Sequence, residues 1–336
     1  MSHALNQPST TFVYSIESGY FETQTLLAVE SLRKFGGAFA KAPVLAITPR
    51  FGPTLTTKTR RRMDELEITY INSNLHHPDS WFCYMNKSLA VMLAEEYAQT
   101  EQIIWMDSDT LIIREPQGLW LEPGVDFAVC STDKNVGSSG SNDQNEPYWM
   151  ALCSKFGIEI DELPWITTAF EQQKVRFRIH SGVYSYRRNT GLGKKFVETC
   201  EQVLHSGVAY SERLPFPGDS VALAFAVVLQ KLNWHLLPIS YNYQITPDSK
   251  TYKRQELENA YVLHYHHAFT KPAQCTWALT EIQTQLPEIY SWLNQQVPLM
   301  PKIGGLQRQI IRRILKEWRA IQQRQIESQS QKLVIG

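Results

Sequence analysis

The sequence has no CxxC pair, no membrane-length apolar run, no excess of either charge and no internal repeat. Its five cysteines (Cys83, Cys130, Cys153, Cys200, Cys275) are scattered and odd in number. That reads as reduced thiols and argues against a zinc site. The longest apolar stretch, Val221 to Leu229, is too short for a bilayer, which needs about 20 residues, and is expected as a buried helix. The opening residues, MSHALNQPSTT, lack the apolar core of a secretory signal, so a cytoplasmic location is expected. Thirty-three basic residues balance thirty-three acidic ones, and this balance gives no general pull on nucleic acid, which is not expected as a partner. The remaining composition, 43% hydrophobic and 20% charged, is that of an ordinary globular chain.

What is present first is an alternation of strand and helix patterns. Phe12 to Glu17, Pro43 to Thr48, Ile68 to Ile71 and Gln102 to Met106 read as strands. Between them, Thr23 to Phe35, Thr56 to Leu66 and Asn86 to Ala98 show helical spacing. Further strands are expected at Asp126 to Cys130, Ile179 to Tyr186, Trp234 to Pro238 and Tyr261 to Tyr265. Helices are expected at Gly191 to His205 and Ser220 to Lys231, and a loop over Gly137 to Asn145. This rhythm predicts an α/β fold: a Rossmann-like, mixed but mostly parallel sheet flanked by helices. In such sheets ligands bind beyond the carboxyl ends of the strands.

That position holds Asp107-Ser108-Asp109, directly after the apolar run QIIWM. Alternation along an extended chain points both carboxylates to roughly the same side. Hard oxygen ligands suit Mn²⁺ or Mg²⁺. A divalent cation can neutralise a departing diphosphate as Lewis acid and template. An isolated DxD is also a common solvated turn, so its meaning depends on context.

Other segments supply that context. The chain carries Ser15-Ile16-Glu17-Ser18-Gly19-Tyr20 followed by Glu30-Ser31-Leu32. It then has Tyr84-Met85-Asn86-Lys87, IIWMDSDTLII, His180-Ser181-Gly182-Val183, Gly218-Asp219-Ser220 and Tyr241-Asn242-Tyr243. Last comes His264-Tyr265-His266-His267-Ala268-Phe269-Thr270-Lys271-Pro272. Over roughly residues 12 to 275 this set resembles the GT-A-fold glycosyltransferases, most closely family 8, the glycogenin and lipopolysaccharide galactosyltransferase group. The resemblance implies a GT-A fold and transfer of a hexose from a nucleotide-diphosphate sugar, a UDP-sugar above all, to a glycan or lipid-linked acceptor with retention. It assigns Ser15, Glu17 and Tyr20 to base and ribose, Lys87 to the phosphates, and Asp107 and Asp109 to metal and nucleotide. It assigns His180 and Asp219 to the donor sugar and Lys271 to the diphosphate. The third metal ligand is a histidine, with His264 the first choice and His266 the second. The chain departs from the family pattern in three places: His180 stands where asparagine is usual, the second carboxylate after Asp219 is absent, and the glycine after His264 is missing.

Each residue also has a plainer reading. Asp219 is placed to cap a helix, His180 to pack in the core, and Trp81, Trp149 and Trp165 to pack rather than stack on sugar. Two other functions compete: a GT-A-like binding domain without turnover, and a DxD phosphatase. The segment Leu306 to Ile326 reads as a basic amphipathic helix, with Leu306, Ile310, Ile311, Ile314, Leu315, Trp318 and Ile321 at three- and four-residue steps and arginines and lysines over much of the rest. It suits either packing on the domain or an anionic membrane surface. The expected division is a GT-A domain over 1–300 and a helical tail over 301–336.

Overall fold

A computed structural model of the chain describes residues 7–133, 137–209, 218–247, 252–329 and 331–332. The first half alternates as the sequence predicts: β1 (Thr10–Ser15), α1 (Tyr20–Phe35), β2 (Val44–Thr48), α2 (Thr57–Glu65), β3 (Ile68–Asn72), α3 (Met85–Tyr97) and β4 (Gln102–Met106). Then follow β5 (Thr110–Ile112), β6 (Phe127–Ser131), α4 (Glu146–Phe156), β7 (Trp165–Thr167), β8 (Lys174–Arg176), β9 (Ile179–Arg187) and α5 (Leu192–Leu204). The remainder is β10 (Val208–Ala209), α6 (Asp219–Leu229), β11 (Trp234–Leu237), β12 (Tyr243–Gln244), α7 (Arg254–Leu257), β13 (Val262–His264), α8 (Pro272–Gln285), α9 (Pro287–Leu293) and α10 (Leu306–Gln329).

Seven strands form the main sheet in the order β11-β6-β9-β4-β1-β2-β3. β1, β2, β3 and β4 are mutually parallel, as are β6 and β11, whereas β9 runs antiparallel to both β4 and β6. Every residue of β4 is buried, as expected for a strand covered on both faces. One face carries Val13, Ile103 and Trp105 against α3, α5 and α6; the other carries Phe12, Tyr14 and Ile104 against α1. Val221 to Val227 is buried within α6, so the longest apolar stretch is the core helix it was expected to be. All five cysteines are free.

A second sheet, β12-β13-β5, stands at the carboxyl edge of the first. β13 pairs antiparallel with β5, setting His264 opposite Thr110. Tyr265 N donates to the Asp109 carbonyl at 3.0 Å. This pairing carries the histidine segment to the DSD turn across more than 150 positions of sequence.

Two elements near the site depart from the sequence reading. α4 begins where only a loop was expected to end. Asp219 is not the cap of α6: Gly218 occupies that place, and no side chain caps the helix. The Asp219 carboxylate is instead drawn to Lys87, because neutralising a buried charge outweighs one cap hydrogen bond. Pro217, part of the same expected segment, lies outside the described residues.

Candidate active site

The DSD turn is built from both ends. Asp107 N donates to the Gly182 carbonyl at 2.8 Å, fixing the turn to β9. The spacer residue Ser108 is buried and donates to the Ser15 carbonyl at 2.8 Å. Turning the spacer inward leaves the carboxylates on either side of it facing a cleft of about 830 Å³. Behind the turn, Ser31 of α1 accepts from Ile112 N at 2.9 Å, which gives the Glu30-Ser31-Leu32 segment a structural task.

The two carboxylates have different neighbours. Asp107 meets Lys87 Nζ at 2.8 Å and accepts from Trp105 Nε1 at 2.9 Å. Lys87 also meets Asp219 at 2.5 Å, and Ser181 Oγ donates to Asp219 at 2.8 Å. One ammonium thus stands between the buried carboxylate of Asp219 and the partly buried one of Asp107. Burial opposes the charge on Lys87, yet Asp107 and Asp219 outweigh it and raise the lysine above its usual range. Burial likewise works against the charged form of Asp219, but Lys87 and Ser181 bring that carboxyl below its usual range. For Asp107, burial prevails over Lys87 and raises it.

Asp109 faces imidazoles. His264 Nε2 lies 3.2 Å from Oδ1 and His266 Nδ1 4.0 Å from Oδ2. Against the cost of burial, these rings bring Asp109 down to about 2. The same pairing raises His264 despite its burial, whereas burial and the neighbouring His264 bring His266 down to about 3. The rings of His264 and His266 stack with centroids 4.1 Å apart. His264 Nδ1 lies 3.0 Å from Asn242 Oδ1. Donating that N–H to the amide oxygen orients the ring with Nε2 toward the cleft, the usual outer-shell support of a metal-binding histidine. One donor atom each from Asp109, His264 and His266 lies within 4.8 Å of the others. Carboxylate plus imidazole is a donor set that could hold a divalent metal.

His180 lines the cleft beside this group, 5.4 Å from His264 between ring centroids. Burial and the nearby His264 press it well below the ordinary histidine range, so it is neutral near pH 7. Its Nδ1 accepts from Gly182 N at 3.2 Å, and its Nε2 lies 3.4 Å from the side-chain amide of Gln244.

The structure therefore brings Ser15, Lys87, Asp107, Asp109, His180, Asp219 and His264 to one cleft. It does not bring Glu17, Tyr20 or Lys271 there. Glu17 is held by Arg50 through two contacts, of 2.5 and 3.1 Å. Tyr20 is 40% exposed at the start of α1, with its neighbour Phe21 on the cleft instead. Lys271 is exposed at the start of α8. Cleft residues the sequence reading passed over include Trp105, Arg178, Asp133 and Gln244. Trp105 was within reach of it: two positions before Asp107 on an extended strand, it shares that residue's side. Trp81 and Trp149 are core residues, and Trp165 packs under Arg176 at 4.2 Å.

With this geometry in hand, the sequence profile of the Rhodobacterales glycosyltransferase domain matches residues 12–231. The chain belongs to that glycosyltransferase family. Its fold is that of the galactosyltransferase LgtC solved with donor and acceptor sugar analogs, at a TM-score of 0.52 and 11% identity over 85% of this chain and 96% of that one. The glycosyltransferase GlyE of Streptococcus pneumoniae aligns at 14% identity over 86% of this chain and 64% of that one, with a TM-score of 0.45. No curated protein matches by sequence. The chain is thus a glycosyltransferase of GT-A type resembling family 8, and the phosphatase reading falls away.

A second His–carboxylate group lies away from the cleft. His77 pairs with Glu201 at 3.0 Å and His205 with Asp79 at 2.8 Å. These pairs fasten the segment before α3 to α5, and through it the position of Lys87.

Proposed function

We propose that this glycosyltransferase moves a hexose from a nucleotide-diphosphate sugar, a UDP-sugar in the first instance, to a glycan or lipid-linked acceptor with retention and in a Mn²⁺- or Mg²⁺-dependent way. The observation that carries this is the meeting of Asp109 with His264 and His266 beside the Lys87 ion pairs, at the carboxyl edge of the sheet. Asp107, Asp109 and His264 are the proposed ligands, with His266 as a further donor. When bound, the cation supplies positive charge to the diphosphate.

The chain's own side chains do the rest. Lys87 lends positive charge to the leaving β-phosphate from a partly dry site, where such charge acts strongly. Asp219 and His180 hold hydroxyls of the donor sugar. Ser15 contributes to binding the nucleotide. The two-substrate complex described for LgtC supports a cleft that takes donor and acceptor together. We further propose residues 1–300 as the catalytic domain and 301–336 as a tail on an anionic membrane face in the cytoplasm. Among the described residues no helix is long and apolar enough to cross a membrane. The apolar stripe of α10 is open, with Leu306 73% and Ile314 62% exposed, which suits an interfacial helix.

A thermal-shift series with UDP-, GDP- and dTDP-sugars and Mn²⁺ tests the reading, since a bound ligand raises apparent stability. A shift with a UDP-hexose, accompanied by release of UDP and faster turnover with acceptor, is the expected result. Failure of every nucleotide sugar to bind, with or without Mn²⁺, sinks it.

Gly182 provides a further check. A Cβ there would sit 2.7 Å from His264 Cε1 and 2.9 Å from Nδ1, so the backbone passes too close to the ring for any side chain. Gly182→Ala is expected to push His264 aside and weaken Mn²⁺ binding by calorimetry roughly tenfold or more, as removal of outer-shell support does. Circular dichroism should stay unchanged.

A further inference from the structure

α10 turns both apolar and basic side chains toward the domain. Leu315 and Ala320 face inward beside Arg312 and Arg319 at the carboxyl ends of β1 and β2, while Leu306, Ile310, Ile314 and Ile321 stay exposed. Arg312 donates to Ser18 Oγ at 3.1 Å and to the Lys302 carbonyl at 3.0 Å. Its guanidinium lies so close to Gly19 that a Cβ there would meet it at 2.8 Å. Arg308 donates to the Leu55 carbonyl at 2.5 Å. About two turns beyond Arg312, Arg319 has Glu17, Arg50 and Cys83 as its charged and titratable neighbours. Its Nε is buried with no hydrogen-bond partner.

A cavity of about 380 Å³ lies between this helix and Glu17, Ser18 and Thr48, its other wall carrying Arg312, Arg319 and Gln323. The volume falls within the range of about 300–1,000 Å³ usual for small-molecule sites. The cavity adjoins the main cleft, since Ser15 and Cys83 line that cleft while Glu17 and Arg319 line this one. Burying a guanidinium donor without an acceptor is costly, more so next to the second guanidinium of Arg50. Glu17, paired with Arg50, offsets part of this charge from nearby, but the Arg319 Nε–H still has no hydrogen-bond acceptor.

We propose that α10 closes the nucleoside end of the donor cleft, and that Arg319, with Arg312 beside it, binds a nucleoside whose base offers ring carbonyl oxygens as acceptors. The assignment rests on the strand-end cleft being the donor site. It makes the C-terminal helix part of substrate recognition. It also favours uracil, thymine or guanine over adenine, whose ring bears no carbonyl oxygen.

Calorimetry on the full-length protein with Mn²⁺ and UDP, GDP, dTDP or ADP tests it, alongside Arg319→Ala, Arg319→Lys and Arg312→Ala. Wild type is expected to bind at least one oxo-base diphosphate more tightly than ADP. Arg319→Ala should weaken that binding about tenfold or more and flatten the preference over ADP, with Mn²⁺ affinity and unliganded Tm unchanged. Arg319→Lys should lose most of the same affinity, because it keeps the charge without the fork. Nucleotide should also slow amide exchange across 306–329. If wild type binds a nucleotide while Arg319→Ala and Arg312→Ala match its affinity, the role of α10 is refuted and the donor site stands. If wild type binds none of the nucleotides, the donor site itself is wrong and the inference falls with it.

Discussion

Asp109→Asn is expected to lower metal-dependent sugar transfer by about 10³-fold, or roughly 4 kcal/mol in the barrier, while leaving the fold in place. Asn keeps the size of the side chain and loses only the charge. The backbone at 109 is held independently of that charge, through the carbonyl that accepts from Tyr265 N. His264 keeps its hold on Asn242. Asp109 is the carboxylate that faces both imidazoles, whereas Asp107 is occupied by Lys87 and Trp105. Asp109 is therefore the more sensitive of the pair. Donor turnover at saturating Mn²⁺, paired with a Mn²⁺ titration by calorimetry and a melting curve, gives the answer. An Asp109→Asn enzyme that turns over like wild type would remove the metal from the mechanism.

Lys87→Met carries the second large effect, and it reaches stability as well as activity. The ammonium lies within ion-pair distance of Asp107 and Asp219, whose side chains are only 22% and 9% exposed. Removing one partner of a buried pair typically costs about 3–5 kcal/mol, because the other charge is left uncompensated. The variant should therefore melt well below wild type at neutral pH and lose donor turnover. The pH dependence has a definite sign. In wild type, Lys87 holds Asp219 below the usual carboxylate range, so that stabilisation is present above the unfolded pKa of about 3.9. It is lost as pH falls through the lower folded value. In Lys87→Met only Ser181 and Arg178 still oppose burial at Asp219, and both carboxyls protonate more readily than in wild type. The gap in Tm between the proteins should narrow as pH is lowered from 7 toward 4. A constant gap over that range would mean that the loss is one of packing alone.

Much of this site could be read in the sequence because its chemistry sits next to strong periodic signals. The buried run Gln102 to Met106 fixes where Asp107 and Asp109 emerge, and the strand to His264 carries its own apolar residues. The direction of β9 could not be read. Ile179 to Arg187 is buried on both faces, and a strand of that kind looks the same whether it runs parallel or antiparallel to its neighbours. Glu17 shows a different limit. Two residues past the end of β1 it was a fair candidate for a nucleotide contact, but a partner 33 positions away, Arg50, takes its carboxylate. α4 left a readable signal, a proline in its first turn, hidden by the Gly- and Ser-rich segment before it. The inward turn of the α10 arginines has no local signature at all. Helical spacing separates an apolar stripe from a basic one, but which stripe meets the protein depends on what the domain presents there.

The pairing of β13 with β5 also sets a timetable. A chain emerging from the ribosome presents the acidic turn at 107–110 long before residue 264 has been made. Domains generally begin folding from the N-terminal side during synthesis. The nascent protein therefore spends that interval without His264 and His266, the imidazoles that face Asp109. The proposed metal group is complete only once β13 has docked on β5.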